Sequence, residues 1–179
     1  MKKFHEMTIA GLSRELPICT VDNTIDIAAF IIFGDVELTV AASAELLKKT
    51  PEFDIIVTPE AKSIPLAYEM ARQSGKGYIV ARKSTKLYMK DPLKIEVRSI
   101  TTDRIQTLYM GSDDSEMLAG KRVLVVDDVI STGESLLAVR SLVEKAGGEI
   151  VGCCAILAEG DAAKRDDIIF LEPLPLFFK

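Results

Sequence analysis

Val123-Leu124-Val125-Val126-Asp127-Asp128-Val129-Ile130-Ser131-Thr132-Gly133-Glu134-Ser135 is the stretch that decides how this chain folds. It opens with four apolar residues in a row, the pattern of a strand covered on both faces. Two adjacent carboxylates end that run. A small, hydroxyl-bearing loop with glycine follows. Ser135 to Ala146 then puts Leu136, Val139, Leu142 and Val143 on one helical face, and Gly147-Gly148 stops the helix. Ile150 to Leu157 is a second long apolar strand. Strand, helix, strand is the repeating unit of a parallel α/β sheet.

The same unit occurs upstream. Ile55-Ile56-Val57 reads as a buried strand, Pro65 to Gln73 as a helix with proline in its first turn, and Tyr78 to Ala81 as a strand. Gly34-Asp35 reads as a turn and N-cap, and Val36 to Lys49 as a helix with Val36, Val40, Ala44 and Leu47 at helical spacing. Lys94 to Ile100 and Ile105 to Met110 flank Thr101-Thr102-Asp103-Arg104 and suit a projecting hairpin. The expected fold class is α/β, a mainly parallel sheet flanked by helices. In such sheets ligands sit at the carboxyl ends of the strands. That singles out Thr58 to Ser63 and Asp127 to Ser135.

At 179 residues, with 48% apolar and 27% charged residues, the expectation is one domain (residues 1–179) with a substantial core. The longest apolar run, Ile27 to Phe33, is far short of a membrane span, and no secretory signal is visible, so no membrane partner is expected. A net charge of −5 argues against a nucleic-acid partner and requires any anionic ligand to be held locally. The three cysteines, Cys19, Cys153 and Cys154, form no disulfide framework and suit a reducing, cytoplasmic setting; the last two are expected on opposite faces of a strand. The single histidine, His5, lies near a chain end where fraying is the norm, and no zinc spacing exists.

Adjacent carboxylates are costly unless they serve a cation or a polar ligand. The loop after them offers backbone N–H groups and hydroxyls at a helix N-terminus, which together make an anion cradle. Acids beside a phosphate cradle suit a sugar phosphate. Acid pairs after strands also occur as helix caps or acidic metal pockets, and Ser-Thr-Gly is ordinary turn chemistry. Neither G-x-x-x-x-G-K-[ST] nor G-x-G-x-x-G occurs, so neither common nucleotide loop applies.

Four apolar residues, Asp-Asp, two apolar residues and Ser-Thr-Gly resemble the phosphoribosyl pyrophosphate (PRPP) signature of type I phosphoribosyltransferases, closest to the adenine-using purine enzymes. The resemblance implies that Asp127 and Asp128 address the ribose hydroxyls and that Val129, Ile130, Ser131, Thr132, Gly133, Glu134 and Ser135 hold the 5′-phosphate, with the Glu134 side chain turned outward. Thr58-Pro59-Glu60-Ala61-Lys62-Ser63 resembles that family's pyrophosphate loop, Glu-Ala-Arg-Gly, with Lys62 for arginine and Ser63 for glycine. Arg82-Lys83-Ser84-Thr85-Lys86-Leu87 resembles its Arg-Lys-x-x-Lys-Leu stretch. Glu60, Ala61, Lys62, Ser63, Arg82, Lys83 and Lys86 are thus the implied pyrophosphate residues. Leu16 to Asn23 with Ile25-Asp26 resembles a base-binding hood, making Val21 and Asn23 candidate base contacts; Phe170 to Phe177 resembles the closing segment. The implied division is a hood over about 1–34, a core over 54–157 and a flexible hairpin over about 87–110.

The implied reaction is displacement of pyrophosphate from PRPP by a purine base, giving a nucleoside monophosphate in purine salvage. Mg2+ is the implied cofactor, with no direct side-chain ligation, and a homodimer the implied assembly, with Leu174 to Phe178 as an exposed apolar tail for a partner. Glu96 is a candidate general base. Related 6-oxopurine enzymes use a lysine after the last core strand to bond O6. Here that region reads Leu157-Ala158-Glu159-Gly160-Asp161, with no lysine before Lys164. This favours adenine. Xanthine is the alternative, since Val21-Asp22 and Ala81-Arg82-Lys83 also resemble xanthine enzymes. A non-catalytic PRPP-sensing regulator is the second class to weigh, and an orotate enzyme fits less well. The adenine enzymes read the base largely through backbone groups and apolar walls.

Overall fold

The computed structural model describes residues 3–98 and 105–179. The expected hairpin turn, Thr101 to Arg104, lies outside the described residues. In chain order the elements are β1 (Phe4–Ile9), β2 (Leu12–Thr20), β3 (Ile25–Ala28), α1 (Val36–Leu47), β4 (Ile55–Pro59), α2 (Ile64–Ser74), β5 (Gly77–Ala81), β6 (Leu93–Arg98) and β7 (Ile105–Met110). They continue with α3 (Ser112–Leu118), β8 (Arg122–Ile130), α4 (Glu134–Lys145), β9 (Glu149–Glu159), a 3-10 turn (Gly160–Lys164), β10 (Ile169–Leu174) and β11 (Leu176–Phe178).

The core is a five-stranded parallel sheet in the order β10-β9-β8-β4-β5, as the alternating strands and helices imply. Alternate residues of each strand go to opposite faces. Ile56, Leu124, Val126, Cys154 and Ile156 face α1 and α2, packing with Leu38, Leu46, Leu66 and Met70. Ile55, Val57, Val123, Val125 and Cys153 face α4, packing with Leu136, Val139, Leu142 and Val143. Cys153 and Cys154 are buried on opposite faces, as their adjacency requires, and Cys19 is exposed. The helical face expected from Ser135 to Ala146 is the one that α4 buries.

α1 corrects one expectation. Asp35 is its N-cap, with Oδ1 accepting from the Leu38 N–H at 3.0 Å. Its buried residues, however, are Leu38, Thr39, Ala42, Ser43 and Leu46. Val36 and Val40 are exposed. The helix is apolar nearly all round, so its period alone does not choose the inward face.

A second, four-stranded antiparallel sheet, β1-β2-β3-β11, covers one end of the core. The chain leaves the parallel sheet at Leu174, passes Pro175 and pairs β11 with β3, matching Leu176 to Ile27. This overturns the expectation of a free apolar tail. Leu174 is buried, Leu176 and Phe177 are half-buried, and only Phe178 of those apolar side chains is exposed. His5 is not frayed either: it lies in β1 with its ring edge-on to Phe177, centroids 5.4 Å apart.

β6 and β7 form the expected antiparallel hairpin. Its root is anchored: Leu108 and Met110 are fully buried in the α4 cluster, and Tyr109 and Arg82 exchange backbone hydrogen bonds of 2.8 and 2.9 Å. Among the described residues no helix is long and apolar enough to cross a membrane.

Leu124 is fully buried at the centre of the sheet. Leu124→Ala is expected to lower the unfolding free energy by about 2–5 kcal/mol, the range for an unfilled core cavity, as read by denaturant titration. A change under about 0.5 kcal/mol contradicts this packing.

Candidate functional site

β8 runs four residues past its apolar lead-in. Asp127, Val129 and Ile130 are still paired with Ala155, Leu157 and Ala158 of β9, so the acid pair lies within the strand and does not end it. The parallel neighbour supplies the register that holds both acids in extended backbone. Asp127 and Asp128 are 8% and 6% exposed. The Asp128 N–H donates to Asp127 Oδ1 at 2.9 Å. Burial, and then the Asp128 charge, push the Asp127 carboxyl well above the usual carboxylate range; the Ser63 hydroxyl pulls the other way. Asp128 Oδ2 is buried with no hydrogen-bond partner among the described residues. An acceptor left bare in a protein interior costs free energy until something donates to it.

Support comes from β4. Thr58 Oγ1 donates to the Val126 carbonyl at 2.8 Å and lies 2.7 Å from Ser63 Oγ. Ser63 is 1% exposed, its hydroxyl 3.1 Å from the Pro59 carbonyl. The serine that stands at a glycine position therefore turns its side chain into the protein and leaves the loop's outer surface uncovered. The Glu60-Ala61 peptide in this loop is cis. Glu60 gathers the basic stretch after β5: its carboxylate accepts from the Lys83 N–H at 3.0 Å and from Arg82 at 3.3 Å, with Lys86 Nζ 4.0 Å away. Two cations, Arg82 and Lys86, converge on one carboxylate, which leaves net positive charge for an anion.

The loop after β8 turns through Gly133, whose φ of +83° suits only glycine without strain. A β-carbon there would lie 2.4 Å from Arg165 Nη1. Arg165 is forked onto Asp167, both contacts 2.8 Å, so its remaining nitrogen is aimed at the loop backbone. Thirty-odd residues of sequence separate the two, and no local pattern announces the contact. Ser131 and Thr132 are exposed, Gly133, Glu134 and Ser135 half-buried, and Ile130 buried.

Two adjoining cavities meet these residues. One of about 500 Å3 is walled by β3 and the segment to Phe33, and by Lys62, Asp128, Val129, Ser131 and Glu159. The next, of about 600 Å3, includes Val21, Ile27, Ser131, Thr132, Glu159 and Arg165. Lys62, Asp128, Val129 and Ser131 thus line one cavity and Val21, Ser131 and Thr132 the next, while Asp127, Arg82, Lys83 and Lys86 line neither. Asn23 is exposed and lines neither cavity; its turn is held by Asp22 Oδ1, which accepts from Thr24 and Ile25. Glu96 is exposed and paired with Lys94 at 2.5 Å, away from both cavities. The arrangement sets the Ser131–Thr132 loop, the Asp128 carboxylate and the Lys62 cation around a largely apolar chamber, which suits a phosphorylated sugar carrying a second anionic group.

A family model described as a phosphoribosyl transferase domain matches residues 36–174. The adenine phosphoribosyltransferase of Kosmotoga olearia is 33% identical over 140 residues, 78% of this chain and 74% of that protein. That of Thermotoga petrophila is 35% identical over 122 residues, 68% of this chain; the match spans 64% of that relative's length. The crystal structure of the Thermoanaerobacter pseudethanolicus adenine phosphoribosyltransferase superposes with a TM-score of 0.67 at 25% identity, over 79% of this chain and 84% of that one.

The raised Asp127 carboxyl makes a stability prediction. The folded state holds this proton more tightly than the unfolded chain, so its burial destabilises the fold as pH rises above the unfolded carboxylate value near 4. Asp127→Asn is expected to be more stable than the parent at pH 8 by upward of about 1.4 kcal/mol, with the gap closing toward pH 4. A gap independent of pH contradicts the burial reading.

Proposed function

The chain belongs to the phosphoribosyltransferase family, and on that premise we propose that it makes AMP and pyrophosphate from adenine and PRPP, in purine salvage. The observation that carries this reading is the buried Asp127–Asp128 pair, with its bare Asp128 Oδ2, beside the Ser131–Gly133 loop. Adenine phosphoribosyltransferases among the relatives support adenine over the xanthine and regulator readings.

The chain's residues work by positioning and charge handling. Asp127 and Asp128 accept from the ribose hydroxyls. Val129 to Ser135 hold the 5′-phosphate through backbone N–H groups at the start of α4. Lys62, with the Glu60–Ser63 backbone, and Arg82, Lys83 and Lys86 carry the pyrophosphate. As the C1′–pyrophosphate bond lengthens, the sugar gains oxocarbenium character and the base nitrogen closes on it. The hood sheet and the β6–β7 hairpin keep water from competing for that carbon.

Mg2+ fits the donor set: two carboxylates, one with an unbonded buried oxygen. Asp127 and Asp128 would hold such an ion, which characteristically takes most of its ligands from water and substrate oxygens. When bound, the ion offsets the charge of the leaving pyrophosphate. The reading extends to a cytoplasmic homodimer. The support for a homodimer is an exposed apolar face of Val36, Val40, Tyr68 and Tyr78 around a cavity of about 400 Å3, which Ile64 and Pro65, directly after the Glu60–Ser63 loop, also line.

Asp127→Asn combined with Asp128→Asn is expected to cut pyrophosphate release from PRPP by at least about a hundredfold while the circular dichroism spectrum is kept. Unchanged turnover overturns the site. Ser131→Glu puts a carboxylate against the 5′-phosphate and is expected to raise the KM for PRPP about tenfold or more. An unaltered KM contradicts the cradle.

A further inference from the structure

Among the described residues, the cavity that holds Ser131 and Thr132 is walled by one cation, Arg165. Two acids, Glu159 and Asp161, share that wall, and Asp161 is paired with Lys164 at 2.7 Å. Arg165 belongs neither to the loop after β8 nor to α4. It caps the 3-10 turn that follows β9, its N–H donating to the Ala162 carbonyl at 3.1 Å. Ala162 and Ile168, on either side of it in sequence, are buried in the α4 cluster, so the segment is fastened to the core.

The guanidinium is held side-on. Nε and Nη2 donate to the two Asp167 oxygens, both at 2.8 Å. Asp167 is shared with Arg140 of α4, whose Nη1 lies 3.7 Å from it, so the carboxylate does not cancel the Arg165 charge alone. The fork uses two of the three guanidinium nitrogens. The third, Nη1, keeps two N–H groups and has no hydrogen-bond partner among the described residues. It stands against Gly133, where a β-carbon would lie 2.4 Å from it. Arg165 also lines a groove of about 370 Å3 with Thr132 and Gly133.

A loop that receives a phosphate through neutral N–H groups gains from a fixed positive charge beside it. The need is greater in a chain of net charge −5 whose loop sequence contains Glu134. An arginine already clamped by a carboxylate loses little freedom when it donates again. We infer that Arg165 is a further phosphate-binding residue: clamped by Asp167, it reaches across Gly133 and donates from Nη1 to the anion seated on the Ser131–Gly133 loop. The bare α-carbon of Gly133 then has a second purpose, since any side chain there displaces the guanidinium. This deepens the transferase reading and rests on it.

The test measures the Kd of AMP and of adenosine, which differ only by the 5′-phosphate, in the parent chain and in Arg165→Gln and Arg165→Lys. Glutamine is expected to raise the Kd of AMP about tenfold and to leave that of adenosine unchanged. Lysine keeps a cation but not the fork, and its Kd for AMP is expected to lie between those of the parent and the glutamine variant. An AMP affinity unaltered by Arg165→Gln overturns the inference alone. So does an equal loss for AMP and adenosine, because Arg165 then acts on the fold. A lysine variant as weak for AMP as the glutamine variant also overturns it, because charge is then not the cause. A parent chain that binds AMP no tighter than adenosine overturns the phosphate site, and with it both the transferase reading and this inference.

Discussion

Two carboxylates lie side by side in a strand whose neighbours are apolar on both faces. Placing Asp127 and Asp128 there works against stability, since burial and mutual repulsion both oppose their charge. The surroundings accommodate the pair in three ways. The strand is pinned by β4 and β9, the Asp128 N–H reaches Asp127, and the Thr58–Ser63 hydroxyls tie the acid-bearing strand to the neighbouring loop. What stays unmet is Asp128 Oδ2, at the wall of the cavity. A site that keeps an acceptor bare is organised for a ligand that donates to it, and the stability it forgoes is stored in that position.

The second constraint is how the chamber closes. The apolar wall is made by β3, and β3 is fixed by the last strand of the chain. Leu176 pairs with Ile27 and also packs over Gly160, so the C-terminal segment joins the hood to the end of β9. One three-residue strand thus sets both the wall of the chamber and the position of Glu159. The loop on the other side depends similarly on a distant residue, Arg165, lying where Gly133 has no side chain.

The core was legible because it is written in short range. Continuous apolar runs gave β4, β5, β8 and β9, glycine ends bounded α4, and the acid pair with Ser-Thr-Gly marked the site. Other features were not legible, each for a physical reason. α1 is apolar on too many faces for its period to reveal the buried one. The β1–β2 turn uses Ala10 at a φ of 50°, a residue that rarely signals such a turn. The tail looks like exposed apolar surface until β3 is there to pair with it. Glu159 drew notice only as the lack of a lysine, and its setting needed both sheets in place. Arg165 acts through a contact that no spacing encodes.

A crystal structure of the chain with PRPP or ribose 5-phosphate tests the assignment at its centre. The account predicts the 5′-phosphate oxygens about 2.7–3.2 Å from backbone N–H groups between Ser131 and Ser135, with ribose hydroxyls on Asp127 and Asp128. A sugar phosphate bound instead through its 5′-phosphate at Arg82, Lys83 and Lys86, with the Ser131–Ser135 loop bare, would contradict it.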